Sequence, residues 1–354
     1  MTASSRRFSL SRRRLLTAAA SLGAGVIAAP YVARADEAVL NVTGWGGKWG
    51  EVMKAEIGPA FETEFKCRLK TDTALPFLPK LQASSRSAPV YDVLHTNSNE
   101  QWAAVEMGLV EPKVDPRLVP NIADVYPYAV SDKIVGVCIF TSAIGLGMRT
   151  DKGYGSITSW KEFWDAKFNG ARGGYVIPAN SLGQAFVMMC GTLFGKGQTD
   201  LDAAYAALEK LKPIKLVDFT GAMEKLILSG EAGIGILHDS GIYRYDGQNQ
   251  PVDFVTPKEG VLSLEQVLSI TPGSKAKELG NAYINYMLRP EVQKRLAETV
   301  WYSPANKQVK LDAKYDAKLL TTPEKVSKLI QVDWKWYNAQ KDEIDSRVNR
   351  IFRA

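Results

Sequence analysis

The chain has 354 residues, 45% of them hydrophobic and 23% charged, with a formal net charge of +6. That excess resides in the six arginines of residues 1–35, without which acids and bases balance, so the charge gives no basis for nucleic-acid binding. Length and composition exclude a disordered chain and favour two soluble lobes over one core.

In chain order, Arg6, Arg7, Arg12, Arg13 and Arg14 precede a mild apolar run at 15–29 that ends near Ala33-Arg34-Ala35. This pattern predicts a secretory signal peptide over 1–35, cleaved after Ala35. Ser11-Arg12-Arg13-Arg14-Leu15-Leu16 resembles the twin-arginine export signature. The run is too rich in Ala and Gly to serve as a membrane span, and the mature chain is not expected to be membrane-inserted.

A strand is predicted at 39–42, broken by Gly44-Trp45-Gly46-Gly47 before a helix beginning near Trp49. A second strand at 90–94 leads to a helix capped by Asn97 or Ser98. A long apolar strand covers 134–147, and Ser159-Trp160-Lys161-Glu162 reads as a capping box opening another helix. A strand at 175–177 runs through Pro178-Ala179-Asn180-Ser181 into an apolar helix at 182–193. Helices at 199–211 and 220–229 alternate with strands at 214–219 and 233–237. Strand patterning resumes over 252–270, on both sides of Pro257-Lys258-Glu259-Gly260. The stretch 323–352 reads as helices, with Trp334, Trp336 and Tyr337 as packing aromatics. Cys67, Cys138 and Cys190 lack metal-ligand spacing and are expected to be buried thiols.

This alternation predicts an α/β fold with a mainly parallel sheet in each lobe. The segments 134–147 and 252–270 are the expected crossings between lobes, with a hinge near 140–144 and 263–267. Lobe 1 is predicted to comprise 36–142 plus 265–310, and lobe 2 to comprise 143–264 plus 311–354.

Several pieces, in order and spacing, resemble the periplasmic binding proteins of ABC importers, in particular the branch that includes the spermidine and putrescine binders. They are Gly44-Trp45-Gly46, Tyr91-Asp92-Val93, Thr158-Ser159-Trp160-Lys161-Glu162-Phe163-Trp164, Pro257-Lys258-Glu259-Gly260, Asn285-Tyr286-Met287-Leu288-Arg289-Pro290-Glu291-Val292-Gln293, and Tyr302-Ser303-Pro304-Ala305-Asn306. The resemblance implies a two-lobed, type II-like periplasmic-binding-protein fold that closes on a small solute and delivers it to permease subunits. It also implies a periplasmic monomer without cofactor or metal. By matching position, the cleft residues are Trp45, Asn97, Ser98, Asn99, Ser181, Gln184, His238, Asp239, Gln266 and Tyr302.

Departures from the branch bear on the solute. Polyamine binders line the cleft with carboxylates and rings, whereas here Ser181, Gln184 and Gln266 stand where Asp or Glu is common, and His238 where a second tryptophan is expected. Asp239 and Glu265 lie one residue away from His238 and Gln266. Asn180 and Ser181 begin a helix whose free N–H groups favour an anionic group, and Lys48 is a further candidate positive charge. The expected solute is therefore neutral, zwitterionic or carboxylate-bearing, with a polyamine as the alternative. His95 and His238, with Tyr243, Tyr245 and Tyr302 nearby, keep a ferric-iron binder as a further alternative. No nucleophile elbow or phosphate-loop spacing is present, so an enzyme is not expected.

Overall fold

A computed structural model describes residues 38–177, 180–245 and 248–353. The predicted signal at 1–35 and the Pro178-Ala179 part of the predicted loop lie outside them. Among the described residues no helix is long and apolar enough to cross a membrane.

Two parallel trios of strands form the flanks of one sheet. In the first, β1 (Ala38–Thr43) lies between β2 (Cys67–Asp72) and β3 (Val93–Asn97). In the second, β5 (Arg172–Tyr175) lies between β6 (Lys215–Val217) and β7 (Ile234–His238). Joining them are two long strands, β4 (Val137–Arg149) and β9 (Val261–Ile270), antiparallel to each other from Val137↔Leu268 to Ile144↔Leu262. The C-terminal half of β9 pairs with β3, and the C-terminal half of β4 with β7 and β8 (Val252–Val255). The strand order is β2-β1-β3-β9-β4-β7-β5-β6.

Each trio is parallel as predicted, but the centre is antiparallel. The long strands run from one trio into the other instead of returning through a helical crossover, the connection that parallel pairing requires. Both are buried along their whole length, which is why β4 reads as a largely apolar run rather than an alternating strand.

Some elements are displaced from their predicted positions. The strand expected at 90–94 is Val93–Asn97, so His95 and Thr96 lie within it. The Ser159 capping box forms, but it opens a five-residue 3-10 helix, Trp160–Trp164. The Glu259 carboxylate accepts from Ser159 Oγ and Trp160 N, while Trp160 Nε1 donates to Gly260 O at 2.8 Å. The Thr158 and Pro257 motifs are thus one structural knot. The helix Ser181–Phe194 is buried on nearly all sides and packs on the helix Leu201–Glu209. Near the C-terminus, the helix Trp334–Ala339 packs on Ser98–Glu106 and the helix Lys341–Arg353 on Leu201–Glu209. Trp334 and Tyr337 are buried and their rings lie 5.6 Å apart, as packing aromatics should. All three cysteines are buried and outside any disulfide.

Candidate functional site

The turn after β1 brings Trp45 over β9. Its indole Nε1 donates to Gln266 Oε1 at 2.5 Å, and Gln266 Nε2 donates to Asn97 Oδ1 at 2.9 Å. Gln266 and Asn97 are directly opposed in the β3/β9 ladder and share a face. Asn97 holds the N-cap position of the helix Ser98–Glu106, yet its side chain makes no capping bond. Its oxygen receives Gln266 instead, so a residue predicted as a cap helps fix the tryptophan.

Rings extend this face. Trp45 meets His95 edge-on at 5.9 Å, Trp49 lies 5.2 Å from His95, and Tyr302 lies 6.1 Å from Trp49. Tyr302 is held here by β10 (Ser303–Pro304), which pairs with Phe140 and Thr141. Gln293 and Asn306, from the most specific motifs, brace that segment: Gln293 Nε2 donates to Ile139 O at 2.8 Å, and Asn306 N to Gln293 Oε1 at 2.9 Å. They contribute support rather than a lining. Burial lowers the His95 pKa to about 3, so the ring is neutral, and its buried Nε2 has no hydrogen-bond partner among the described residues.

Asn99 and Gln184 link the two halves of the chain, Asn99 Nδ2 donating to Gln184 Oε1 at 3.2 Å. Ser98 is buried beside Asn99, and Asn99 Oδ1 is buried without a hydrogen-bond partner among the described residues. Ser181 is half-buried at the first residue of the Gln184 helix, and Asn180 Oδ1 caps that helix by accepting from Leu182 N at 2.9 Å.

At the end of β7, His238 Nδ1 lies 2.7 Å from Ser240 Oγ and accepts from Gly241 N at 3.1 Å. Burial first, then the nearby Arg244 charge, lower its pKa to about 3. Asp239 N donates to Ala143 O at 2.8 Å, fastening it to the middle of β4, and its Oδ1 accepts from Ser240 N at 2.7 Å. Burial pushes its carboxyl up to about 7 despite the hydrogen bonds that the carboxyl accepts. The structure thus joins Trp45, Gln266 and Asn97 directly, Asn99 to Gln184, and Tyr302 to the rings. His238 and Asp239 form a second group at the end of β7, whose Asp239 charge acts on Tyr302.

Two candidate charges fall elsewhere. Glu265 is on the opposite face of β9 from Gln266, accepting from Ser263 Oγ at 2.5 Å and from Gln331 Nε2 at 3.4 Å. Strand alternation puts neighbours on opposite faces. Lys48 pairs with Glu51 at 2.8 Å, with its side chain 76% exposed, because helical spacing turns it outward.

Sequence reasoning missed Arg244 and Glu224, which pair at 3.2 Å. The available signal was Glu224 itself, an acid on the buried face of Thr220–Ser229 together with Met223 and Ile227. It also missed Glu100, whose carboxyl burial pushes up to about 7. No three His, Cys, Asp or Glu side chains among the described residues converge as a metal site.

Residues 61–322 match the family of bacterial extracellular solute-binding proteins. The spermidine/putrescine-binding periplasmic protein of Escherichia coli is 29% identical over 155 residues, which span 43% of this chain and 43% of that one, less than half the relative's length. Among solved structures, an ABC transporter from Clostridium perfringens superposes with a TM-score of 0.78 at 24% identity, over 88% of this chain and 99% of that one. The PBP AgtB from A. tumefaciens R10, in complex with agropinic acid, gives 0.69 at 19% identity, over 90% and 99%. These two likenesses are of fold. With the family match covering most of the chain, this protein belongs to the bacterial extracellular solute-binding proteins.

Proposed function

We propose that the protein is the periplasmic substrate-binding component of an ABC importer, and that it hands a small polar organic solute to permease subunits without altering it. The lobes proposed are 36–142 plus 265–310 and 143–264 plus 311–354, moving as a monomer about the middles of β4 and β9. The solute is neutral, zwitterionic or carboxylate-bearing, held by Trp45, Asn97, Asn99, Ser181, Gln184, Gln266 and Tyr302, with Ser98, His238 and Asp239 behind them.

The observation that carries the charge of the solute is the state of the acids. Glu224 already faces Arg244, burial holds Asp239 and Glu100 toward their neutral forms, and Glu265 is turned away. A doubly charged amine buried here would lack the ready carboxylates it needs, and an unpaired buried charge costs several kcal/mol. The helix start at Ser181 favours an anionic end instead.

The polyamine alternative draws on the E. coli relative and on Asp239 and Glu100, which an ammonium beside them would ionise. Calorimetry separates the two readings. Ser181→Asp is expected to weaken a carboxylate-bearing solute roughly tenfold or more by setting like charges together, and to leave a polyamine unharmed. Submicromolar putrescine or spermidine binding by the unmodified protein would overturn the reading.

A further inference from the structure

Arg244 and Glu224 belong to none of the sequence motifs, yet their geometry is specific. Arg244 follows the short helix Ser240–Tyr243 that leaves β7. Its Nε donates to Ser240 O at 3.1 Å and its Nη2 lies 3.2 Å from Glu224 Oε1. The second Glu224 oxygen accepts from Tyr245 OH at 3.4 Å. The pair is asymmetric, with the Glu224 side chain 7% exposed and that of Arg244 47% exposed. The acid is sealed and partnered on both oxygens, whereas a guanidinium offers five N–H donors and these contacts engage its Nε and one Nη.

The surroundings put this fork in the candidate site. Gly241 allows the close approach, because a Cβ there would stand 3.0 Å from Glu224 Oε1 and 3.4 Å from His238 Cε1. Arg244 lies within electrostatic reach of His238 and of Tyr302, and Glu224 also acts on Tyr302. Tyr302 is carried by β10 against the first half of β4, while Arg244 and Glu224 belong to the elements around β7. The fork and the ring therefore approach from different parts of the sheet.

Resting on the solute-binding reading above, we infer that Arg244 is the carboxylate-recognising residue of the site, with Glu224 as its positioning residue, and that the solute is amino-acid-like. A planar guanidinium pairs with a carboxylate through two parallel bonds, which a point-like ammonium cannot match. Glu224 holds the guanidinium in orientation. The rings of Trp45 and Tyr302 are left to pack on the rest of the solute. A diamine would bring like charge to Arg244.

Calorimetry on the whole protein tests this with 4-aminobutyrate, 5-aminovalerate and glutamate against putrescine and spermidine; 4-aminobutyrate and putrescine share a four-carbon spine and differ at one end. At least one carboxylate is expected to bind. Arg244→Gln should weaken it on the order of ten- to a hundredfold, Arg244→Lys should restore part of the loss, and Glu224→Gln should weaken it less. The affinity ratio of 4-aminobutyrate to putrescine should fall in Arg244→Gln, a change that a folding defect acting on both alike would not produce. Undiminished carboxylate binding by Arg244→Gln overturns the role of Arg244 and leaves the solute-binding reading standing. Failure of all three carboxylates to bind overturns the inference, and tighter putrescine or spermidine binding by the unmodified protein overturns the charge reading beneath it.

Discussion

Asp239 shows at the scale of one residue what burying an acid in the candidate site costs the fold. Its carboxyl rises from 3.8 to about 7, chiefly through burial, so between those values the folded chain keeps a proton that the unfolded chain releases. Stability contributed at Asp239 is therefore greatest below about pH 4, falls as pH rises toward 7, and the penalty is complete above that. Asp239→Asn keeps an acceptor for Ser240 N and removes the titration. The unliganded variant should be more stable than its parent by about 2–4 kcal/mol at pH 8 and equal to it near pH 4. Thermal unfolding at the two pH values checks this, and equal stability at both would mean that Asp239 is ionised in the fold.

At the scale of elements, the residue before β4 sits under a close backbone constraint. Gly136 has φ +73°, and a Cβ there would stand 2.2 Å from both Leu268 O and Ser269 Oγ on β9. Gly153 has the same φ of +73° but nothing within 4 Å of its would-be Cβ. Gly153→Ala should cost only the left-handed backbone preference, about 1 kcal/mol, whereas Gly136→Ala should cost about 3 kcal/mol or more by forcing β4 away from β9. Urea denaturation of the two variants measures the difference. Equal losses would mean that the β4/β9 pair yields easily, which its full burial argues against.

For the whole molecule, β4 and β9 are the shared spine, each paired with the other and, along its C-terminal half, with one trio. The hinge proposed at their middles predicts that the solute giving the largest thermal shift also lowers the radius of gyration in small-angle scattering. An unchanged radius would argue for a rigid site. Bending there would move Asn99 relative to Gln184, and their 3.2 Å contact is the kind of bond such a motion makes and breaks.

Local pattern alone determined much of this protein. The apolar run at 134–147 located β4, strand patterning over 252–270 located β9, the glycine turn located Trp45, and helices at 220–229 and 182–193 fell close to their observed bounds, because periodicity and turn chemistry act over a few residues. Ordered motifs carried the family, since their spacing survives when identity is low. Tertiary structure decided what those rules cannot reach. Whether Asn97 caps its helix or anchors Trp45 depends on Gln266, 169 residues away; whether Glu265 or Gln266 faces Trp45 depends on the register of β9; and whether Glu224 brings a free charge depends on Arg244, which a separate strand delivers to it. Charge balance in a buried site is a sum over neighbours in space, and the chain brings those neighbours together only by folding.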